Sequence, residues 1–461
     1  EDMEVSAQAC ACLANLAEVE DNQIQIAKEN GIPAIVSIMR SEFVEVQREA
    51  GRCLANVAAF RANHKIIYQT GGHSLLVSYI LCPDTACQRV GALGIGNLAT
   101  NADNRAKLVQ AGALEPLMTL ARSEDVEIEI QRFAVLAIAN IASSVETHRE
   151  LVKEGALPLL ISLSNNPDDE VRQYGAFALV KIGQNAEVRK QITDEGGLEP
   201  VLFLARTEDD EVYREVLPAL CTLSFAEVNK VDIATNGGLP PMIALLECGD
   251  PDLERMACCG VANLAEVVEN QFRIVERGAL KHLVSALSSI SFPVQREAAR
   301  ALGNLSANIQ YGIEIVRLGV IEKLMKMLTS GILEAQRMAL MAMANLATNV
   351  KHHKRLLQAG ALEPTLELAK LALDPKQEGD AEVQRYAMLL IANLSVTSAN
   401  NELIVKEALH IVTAYSKSRD VKCRQNAIYT FGNMASNKHN LDVLKDGGCV
   451  KTVIAFAFPG D

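Results

Sequence analysis

The chain lacks tryptophan, and aromatic residues make up only 4% of its 461 positions. A hydrophobic core must therefore consist mainly of Leu, Ile, Val and Ala, which favours helices over an aromatic-rich β-sandwich. CxxC pairs are also absent, and the eleven cysteines are an odd number, so a disulfide framework is not expected. This cysteine usage predicts a reducing, cytoplasmic location. Five cysteines lie in apolar helical runs, where a thiol acts as a small hydrophobe: Cys10, Cys53, Cys221, Cys258 and Cys259.

Long apolar runs and an excess of positive charge are absent as well. No uninterrupted apolar run approaches the ~18 residues of a membrane span, so we predict no direct insertion into a membrane. The first ten residues, EDMEVSAQAC, are acidic and lack the basic region of a signal peptide. The formal net charge is −13, from 44 Lys and Arg against 57 Asp and Glu. A chain with this charge is a poor general polyanion binder, which argues against nucleic acid as the main partner.

Catalytic motifs are missing too. No GxSxG or HExxH sequence occurs, and the glycines of GALGIGNLA (91–99) lie inside a helical pattern, where they cannot cradle a phosphate. The eight histidines are scattered except for His352 and His353, and we predict surface positions for them. Carboxylates are placed as turn caps and not as a convergent pair. We therefore predict a non-enzymatic protein with no cofactor and no metal; an enzyme would need a pocket with convergent titratable groups.

A short apolar pattern recurs eleven times, in strings such as LANLA, IGNLA and LGNLS. The third residue of each string, here called the marker, lies 41 residues from the next marker in seven of ten intervals. Apolar residues two before and one after each marker form one buried helical stripe. A period near 41 is typical of two- and three-helix solenoid repeats. The markers are Asn15, Asn56, Asn97, Asn140, Lys181, Thr222, Asn263, Asn304, Asn345, Asn393 and Asn433.

Each repeat is predicted to contain three helices. The short first helix ends at a glycine, which we expect to form a left-handed C-terminal cap: Gly31, Gly112, Gly155, Gly197, Gly238, Gly278, Gly319 and Gly360. The second helix carries a proline in its first turn in six repeats: Pro33, Pro116, Pro158, Pro200, Pro240 and Pro364. Acidic turns at 123–127, 165–170 and 207–211 precede the long third helix, where carboxylates cap free N–H groups.

These residues resemble the armadillo repeat family. The glycine, the following Leu-Glu-Pro and the segment VQREA…ALGNLS (294–306) are similar to its consensus, and the pattern covers essentially the whole chain. The resemblance implies an all-α, right-handed superhelical solenoid of about eleven three-helix repeats, with the third helices lining a concave groove. Known members include adaptors, nuclear transport receptors and axonemal proteins.

We expect a single armadillo-repeat solenoid over residues 1–461. Residues 1–20 are predicted to be a partial repeat with only a third helix, and 21–437 ten repeats with a loop insertion near 373–380. Residues 438–461 are predicted to be a partial repeat with only the first two helices. Since solenoids normally need polar capping units, we expect the sequence to be an excerpt of a longer polypeptide.

The marker asparagines are the first candidate binding residues. Asn is a mediocre helix former, so its recurrence inside a helix needs a cause. Its carboxamide offers donor and acceptor together and can clamp the N–H and C=O of an extended backbone. Alternatively, each Asn braces a neighbouring loop within its own repeat, and the two roles are compatible. The candidates are Asn56, Asn97, Asn140, Asn263, Asn304, Asn345 and Asn393.

Arginines on the same predicted helix face are the second candidates. A row of positively charged side chains would attract carboxylates or phosphates of a partner. The alternative is that each arginine pairs with an acidic residue of its own or the next turn between second and third helices. We expect Arg296→Glu with Arg300→Glu to abolish binding without changing helical content or melting. The candidates are Arg48, Arg89, Arg132, Arg214, Arg255, Arg296, Arg337 and Arg385, eight residues before the marker, and Arg52 and Arg300, four before it.

The importin-alpha branch of the family carries Trp four residues before the marker, and this chain has none, so recognition of basic peptides is not expected. We predict a scaffold or adaptor that binds other proteins, as extended segments with acidic residues, along the groove. The resemblance favours a cytoskeletal or ciliary assembly as the setting. The alternative is a client-binding transport receptor or chaperone.

Overall fold

The computed structural model describes residues 3–371, 373 and 380–457. All regular structure in these ranges is helical, as expected for the predicted all-α class. The chain forms two compact units, Glu1–Asn229 and Lys230–Asp461. Apart from Leu373 and Asp380, the predicted loop insertion lies outside the described residues, as do the last four residues of the predicted C-terminal partial repeat. The single solenoid over 1–461 stays a prediction.

The first unit consists of short, medium and long helices in regular succession. In chain order they are α1 (Met3–Leu16), α2 (Glu20–Lys28), α3 (Gly31–Ile38), α4 (Val44–Val57), α5 (His64–Gln69), α6 (Gly72–Ile80), α7 (Thr85–Ala99), α8 (Ala102–Gln110), α9 (Leu114–Arg122), α10 (Ile128–Ala142), α11 (Val145–Lys153), α12 (Ala156–Leu163), α13 (Asp169–Gly183), α14 (Arg189–Asp194), α15 (Leu198–Ala205) and α16 (Asp210–Leu223). Single 3₁₀ turns lie at Arg61–Asn63 and Glu227–Asn229.

The second unit repeats the same succession, with one fused helix, α29. Its helices are α17 (Lys230–Thr235), α18 (Leu239–Ala244), α19 (Pro251–Ala265), α20 (Val268–Glu276), α21 (Ala279–Ala286), α22 (Phe292–Ser306), α23 (Ile309–Arg317), α24 (Val320–Leu328), α25 (Leu333–Leu346), α26 (His353–Gln358), α27 (Leu362–Leu371), α28 (Ala381–Leu394), α29 (Ser398–Tyr415), α30 (Val421–Ala435), α31 (Leu441–Asp446) and α32 (Cys449–Ala457). Single 3₁₀ turns lie at Val350–His352 and Lys438–Asn440.

The turn between first and second helices follows the prediction in five repeats. After α8, Gly112 has φ +81°, its N–H bonds to the Val109 carbonyl, and the Ala113 N–H bonds back to the Leu108 carbonyl. These bonds satisfy carbonyls that the helix itself leaves without partners. The glycines confirmed in this left-handed role are Gly112, Gly155, Gly278, Gly319 and Gly360.

The same prediction is wrong for Gly31, Gly197 and Gly238. In these repeats the preceding residue has the positive φ: Asn30 at 59°, Gly196 at 83° and Gly237 at 108°. Glycine is needed one position later because of close packing on an isoleucine of the first helix. A Cβ on Gly238 would lie 2.4 Å from Cγ2 of Ile233, and one on Gly197 would lie 2.7 Å from Cγ2 of Ile192.

Prolines and acidic turns start the other helices. Each of the six predicted prolines lies within the first three residues of its second helix, which confirms that prediction. Asp168 accepts a hydrogen bond from the Val171 N–H at the start of α13, and Asp209 accepts from two N–H groups at the start of α16. The turn at 123–127 is an exception, because Glu127 precedes α10 without a side-chain cap.

Third helices pack side by side along each unit, namely α1, α4, α7, α10, α13 and α16 in the first and α19, α22, α25, α28 and α30 in the second. The apolar residues flanking each marker are buried in every third helix except α1, where Leu16 is 47% exposed. The five cysteines singled out in the sequence are buried as well. Packing of these small and branched side chains therefore fixes the markers in register.

Polar side chains seven residues after the marker cap the C-terminal ends of the third helices by hydrogen bonds to terminal carbonyls, a feature that was missed in the sequence analysis. Each donates to the carbonyl six residues earlier, one of those that a helix leaves without a partner. Asn104, for example, donates to the Leu98 carbonyl at 3.0 Å. The recurrence of Asn at this position was the available signal: Asn22, Asn63, Asn104, Asn229, Asn270, Asn400 and Asn440.

Histidines eight residues after the marker act in the same way, and the prediction of surface histidines is wrong for His64, His148, His352 and His353. All four are buried, with His353 only 1% exposed. Nε2 of His353 donates to the Ala347 carbonyl at 2.7 Å, and His64 and His148 make the equivalent bond. Burial lowers the pKa of all four histidines, which holds the rings neutral near pH 7.

Candidate binding surface on the third helices

The marker asparagines join consecutive third helices. Nδ2 of Asn97, on α7, donates to the Ala55 carbonyl on α4 at 2.9 Å, and Nδ2 of Asn345 donates to the Gly303 carbonyl at 2.8 Å. The acceptor is always the residue just before the preceding marker, where small side chains permit the approach. The bonds run from Asn56 to Ala14, Asn97 to Ala55, Asn140 to Gly96, Asn304 to Ala262, Asn345 to Gly303 and Asn393 to Ala344.

Bracing by asparagine is therefore real, but it connects two repeats and does not hold a loop within one. Each carboxamide has two N–H bonds and an oxygen, so one N–H and Oδ1 are left over. In the described part of the chain, Oδ1 of these six residues has no hydrogen-bond partner, and the side chains are half-buried. Asn263 differs, because it is 2% exposed and its Oδ1 accepts from Nη2 of Arg300 at 2.8 Å.

Six of the eight arginines at the earlier position are paired with carboxylates. Nε of Arg132 donates to Asp168 at 3.1 Å, and Nη2 donates to the same carboxylate at 2.6 Å. The acid lies at the start of the next third helix, as the alternative interpretation of this row held. The pairs are Arg48 with Asp84, Arg89 with Glu129, Arg132 with Asp168, Arg296 with Glu334, Arg337 with Glu382 and Arg385 with Asp420.

These pairs depress the pKa of the carboxylates. Hydrogen bonds from Arg48 lower the pKa of Asp84 to about 2, partial burial opposes the shift, and the Cys87 N–H supports it. Arg385 and the Cys423 N–H lower the pKa of Asp420 to about 2 in the same way. Each aspartate therefore stays ionised while it caps one helix and neutralises an arginine on the helix before it.

Arg52 and Arg300, one turn closer to the marker, are also held by neighbours. Nη2 of Arg52 lies 2.7 Å from Glu49, and its Nη1 donates to Oδ1 of Asn15 at 2.7 Å. Nε of Arg300 lies 2.9 Å from Glu297, and its Nη1 lies 3.0 Å from Glu266. Both arginines are therefore structural as well as accessible in part.

The contacts of Glu297 change what we expect of the double replacement of Arg296 and Arg300. Glu297 is only 7% exposed and is contacted by both arginines. Glutamates in their place would face a buried carboxylate without a counter-charge, which is costly. We now expect this variant to lose stability, so it does not isolate binding from folding.

Arg214 and Arg255 are the two members of the row that form no ion pair or hydrogen bond within the described residues. Arg214 is exposed and Arg255 is half-buried. For Arg255 the reason lies in the next third helix, α22, whose N-cap is Ser291 and whose first turn has no acidic residue. These guanidinium groups are thus available to an external carboxylate.

Two positions interrupt the asparagine row in the first unit. Nζ of Lys181 pairs with Glu215, and Oγ1 of Thr222 donates to the Gln184 carbonyl at 3.4 Å.

Among the described residues, no group of three or more His, Cys, Asp or Glu side chains is arranged to hold a metal ion. In the same ranges, no helix has the length and apolar character needed to cross a bilayer.

The helix succession and the stacked third helices define an armadillo-type α-solenoid. Sequence comparison supports the same class: the family model described as ARMC5 matches residues 9–258, and that of the armadillo/beta-catenin-like repeat matches residues 268–307. Because the first match covers more than half of the chain, the chain belongs to this ARMC5-type armadillo-repeat family. No curated protein sequence gives a significant match.

Two solved structures illustrate the likeness. An engineered protein determined by a structural genomics consortium is 30% identical, with a TM-score of 0.63 over 88% of this chain and 99% of its own. A structure from work on a phosphorylation switch in the interaction between cadherin and beta-catenin is 14% identical. Its TM-score is 0.79 over 98% of this chain and 94% of its own. At that identity the second likeness shows the fold alone.

Proposed function

We propose that this chain is a non-enzymatic scaffold or adaptor that binds extended segments of partner proteins along its third helices. The observation that carries the proposal is the row of six marker carboxamides that are each fixed by one N–H to the preceding third helix. Fixing a side chain before binding removes an entropic cost of recognition. The remaining N–H and Oδ1 suit the C=O and N–H of an extended backbone, whatever its side chains.

Spacing supports this mode of binding. Packed helices lie about 10 Å apart, and an extended strand rises about 3.3 Å per residue. One repeat therefore matches about three residues of a bound segment, and neighbouring asparagines would contact backbone groups at regular intervals. Affinity would be distributed over several repeats and reduced by the cost of ordering the segment.

The preference for acidic residues depends on Arg214 and Arg255. The six paired arginines already have carboxylates, so a partner acid there would only replace an internal one, with little net gain. An acid that reaches Arg214 or Arg255 gains a charge-assisted hydrogen bond without displacing anything. These two positions, and not the whole arginine row, are the proposed electrostatic anchors.

A cytoplasmic location and a cytoskeletal or ciliary assembly are proposed from the family resemblance alone. A fold neighbour whose published description concerns binding between cadherin and beta-catenin supports a protein partner in general. The alternative, a transport receptor or chaperone that releases its clients, differs in the lifetime of the complex. Affinity capture with crosslinking mass spectrometry would name the partner and map the contacted helices.

A direct test uses a fluorescein-labelled repeat of Glu-Ser-Gly of about 15 residues, long enough for about five repeats at three residues each. Fluorescence anisotropy measures its binding to the chain and to the variant with Arg214→Glu and Arg255→Glu. We expect the double variant to bind about tenfold more weakly, a loss of about 1.4 kcal/mol. A peptide with Lys in place of Glu should bind the unchanged chain less tightly than the acidic peptide does and should not lose affinity in the double variant.

The matched control is Arg149→Glu with Arg277→Glu, since both of these arginines are exposed and lie on or beside first helices. It makes the same change in net charge, so it should leave the affinity for the acidic peptide almost unchanged. Equal loss in the control would reduce the effect to overall charge. Crosslinks of a captured partner confined to first helices would contradict the third-helix surface itself.

A further inference from the structure

A second polar surface lies on first helices of the first unit, away from the marker residues. A pocket of about 530 Å³ opens between the segment 61–69, which includes α5, and the segment 101–107, which includes most of α8. Tyr68, Asn101 and Asn104 line it together with three cationic side chains, Arg61, Lys65 and Lys107. Most of the residues that line it carry polar or charged groups, unlike the lining of a cavity left by imperfect packing of apolar helices.

The charge of this pocket is opposite to that of the chain. Arg61, Lys65 and Lys107 are exposed, and Asp103 is the one acid among the lining residues, in a chain of net charge −13. None of the three cations forms an ion pair within the described ranges. Three like charges held around one opening repel each other, and an anion bound among them relieves that repulsion.

Neighbouring contacts hold two of the three cations, Arg61 and Lys107, at the opening. Nη2 of Arg61 donates to Oδ1 of Asn101 at 3.2 Å, which directs the guanidinium across the opening. Nζ of Lys107 lies 5.5 Å from the centre of the Tyr68 ring, and that ring stacks on His73 at 4.2 Å. Such a cation–aromatic contact limits the motion of the lysine.

His64, at the base of the pocket, is not part of the charged set. Its Nε2 donates to the Ala58 carbonyl at 2.8 Å, and its Nδ1 accepts from Nδ2 of Asn104 at 2.9 Å. With both nitrogens used, the ring is neutral and serves as a wall. The recognition chemistry thus comes from one guanidinium and two ammonium groups.

This combination is not a general feature of the repeat. Among the eleven repeats, Arg at marker plus five occurs only at Arg61, and it is followed by Lys65 at plus nine. Lys190 and Lys354 also lie at plus nine, but Ala186 and Val350 take the place of the arginine in their repeats. Folding of a first helix therefore does not require the three cations.

We propose that this pocket binds a phosphoryl group, presented by a phosphorylated segment of a protein. A phosphate monoester carries about −1.5 to −2 charges near pH 7 and three acceptor oxygens, enough to engage all three cations at once. Arginine supplies paired N–H donors for two of the oxygens, and the lysines act as point charges. A single carboxylate satisfies fewer of these donors and binds more weakly.

Anisotropy with a labelled Gly/Ser peptide containing one phosphoserine tests the proposal, and the unphosphorylated peptide and inorganic phosphate are the other probes. We expect the phosphopeptide to bind, the unphosphorylated peptide not to bind, and Lys65→Glu with Lys107→Glu to weaken binding at least about tenfold. The variant with Lys65→Arg and Lys107→Arg should retain binding, because charge and donors remain. Thermal melting by circular dichroism reports whether each variant is folded.

The matched control is Lys190→Glu with Lys354→Glu, which changes the same charge, and both residues lie at the position of Lys65 in other repeats. It should bind the phosphopeptide as well as the unchanged protein does. Inorganic phosphate that competes as strongly as the phosphopeptide would assign the pocket to free phosphate and overturn the protein segment. Loss of binding in the control, or equal binding of the unphosphorylated peptide, would overturn the phosphoryl site.

Discussion

Eight residues after the marker, histidine and glutamine side chains make the same hydrogen bond, to the backbone carbonyl six residues earlier. Nε2 of Gln23 donates to the Ala17 carbonyl at 2.8 Å, and Nε2 of Gln271 donates to the Ala265 carbonyl at 3.0 Å. His148 donates to the equivalent Ala142 carbonyl at 2.7 Å, while its Nδ1 is buried without a partner. The chain thus contains its own precedent for exchanging these two residues.

We predict that His148→Gln makes the chain less sensitive to mild acid. Burial lowers the pKa of His148, so the unfolded chain takes up a proton below about pH 6.5 that the folded chain does not. The contribution of neutral His148 to the free energy of unfolding is therefore complete above that pH and is lost as pH decreases toward the folded pKa. The total loss is about 1.4 kcal/mol for each pH unit that separates the folded and unfolded pKa values. Glutamine keeps the hydrogen bond and does not titrate.

Urea unfolding at pH 7.5 and pH 5 measures the effect. The midpoint of the unchanged protein should decrease more between the two pH values than that of His148→Gln. The variant of the exposed His410, His410→Gln, is the control and should follow the unchanged protein. An equal decrease for all three proteins would contradict the role assigned to His148.

At the scale of helices, the period of about 41 residues was enough to predict the third helices and the register of their markers. The bond from Asn393 to the Ala344 carbonyl, at 2.8 Å, shows that the register is kept across the 48-residue interval. The glycine turns were only partly predictable, because the residue type alone does not show whether glycine is required for a positive φ or for close packing. Gly112 has the first reason and Gly238 the second.

We predict that Asn97→Ala lowers the free energy of unfolding by about 1 kcal/mol, since it removes the hydrogen bond between α7 and α4. Asn97→Asp should cost more, about 2 kcal/mol, because a carboxylate cannot donate and would face the Ala55 carbonyl. Urea unfolding at pH 7 measures both. Thr222→Ala, whose bond is longer at 3.4 Å, should cost less than Asn97→Ala. Aspartate tolerated at position 97 would show that the donated bond contributes little.

At the scale of the whole chain, sequence reasoning placed the asparagines and arginines in one register but left open what neutralises the arginines. The reason is distance along the chain: Arg48 and Asp84 are 36 positions apart, and so are Arg132 and Asp168. Local spacing identifies neighbours within a helix, whereas these pairs exist only once two repeats have packed. The basic pocket was missed for the same reason, since its cations come from two repeats.

We predict that the arginine–aspartate pairs contribute to stability at neutral pH and lose that contribution in strong acid. Pairing lowers the pKa of Asp84 and Asp420 to about 2, below the ordinary value near 3.9. The contribution is therefore complete above about pH 4 and disappears as pH falls toward 2. The variant with Arg48→Gln and Arg385→Gln should be less stable than the unchanged chain at pH 7 and equally stable at pH 2.

Circular dichroism during urea unfolding at a series of pH values would follow this convergence. Arg149→Gln, at an exposed site with no ion pair in the described structure, should match the unchanged chain throughout. If the variant with Arg48→Gln and Arg385→Gln were still less stable than the unchanged chain at pH 2, packing of the aliphatic part of the arginine side chains and not their charge would be the cause.

Six arginines of the row pair with a carboxylate at the start of the following third helix, so their neutralisation depends on the next repeat in the chain. Gain or loss of one whole repeat in evolution adds or removes one cation together with one anion, so array length can vary at little electrostatic cost. Among the described residues of the second unit, Arg255 is the unpaired member of the row, since α22 has Ser291 as its N-cap and no acidic residue in its first turn. An aspartate at position 291 would pair with Arg255, so a single substitution would remove one of the two proposed electrostatic anchors.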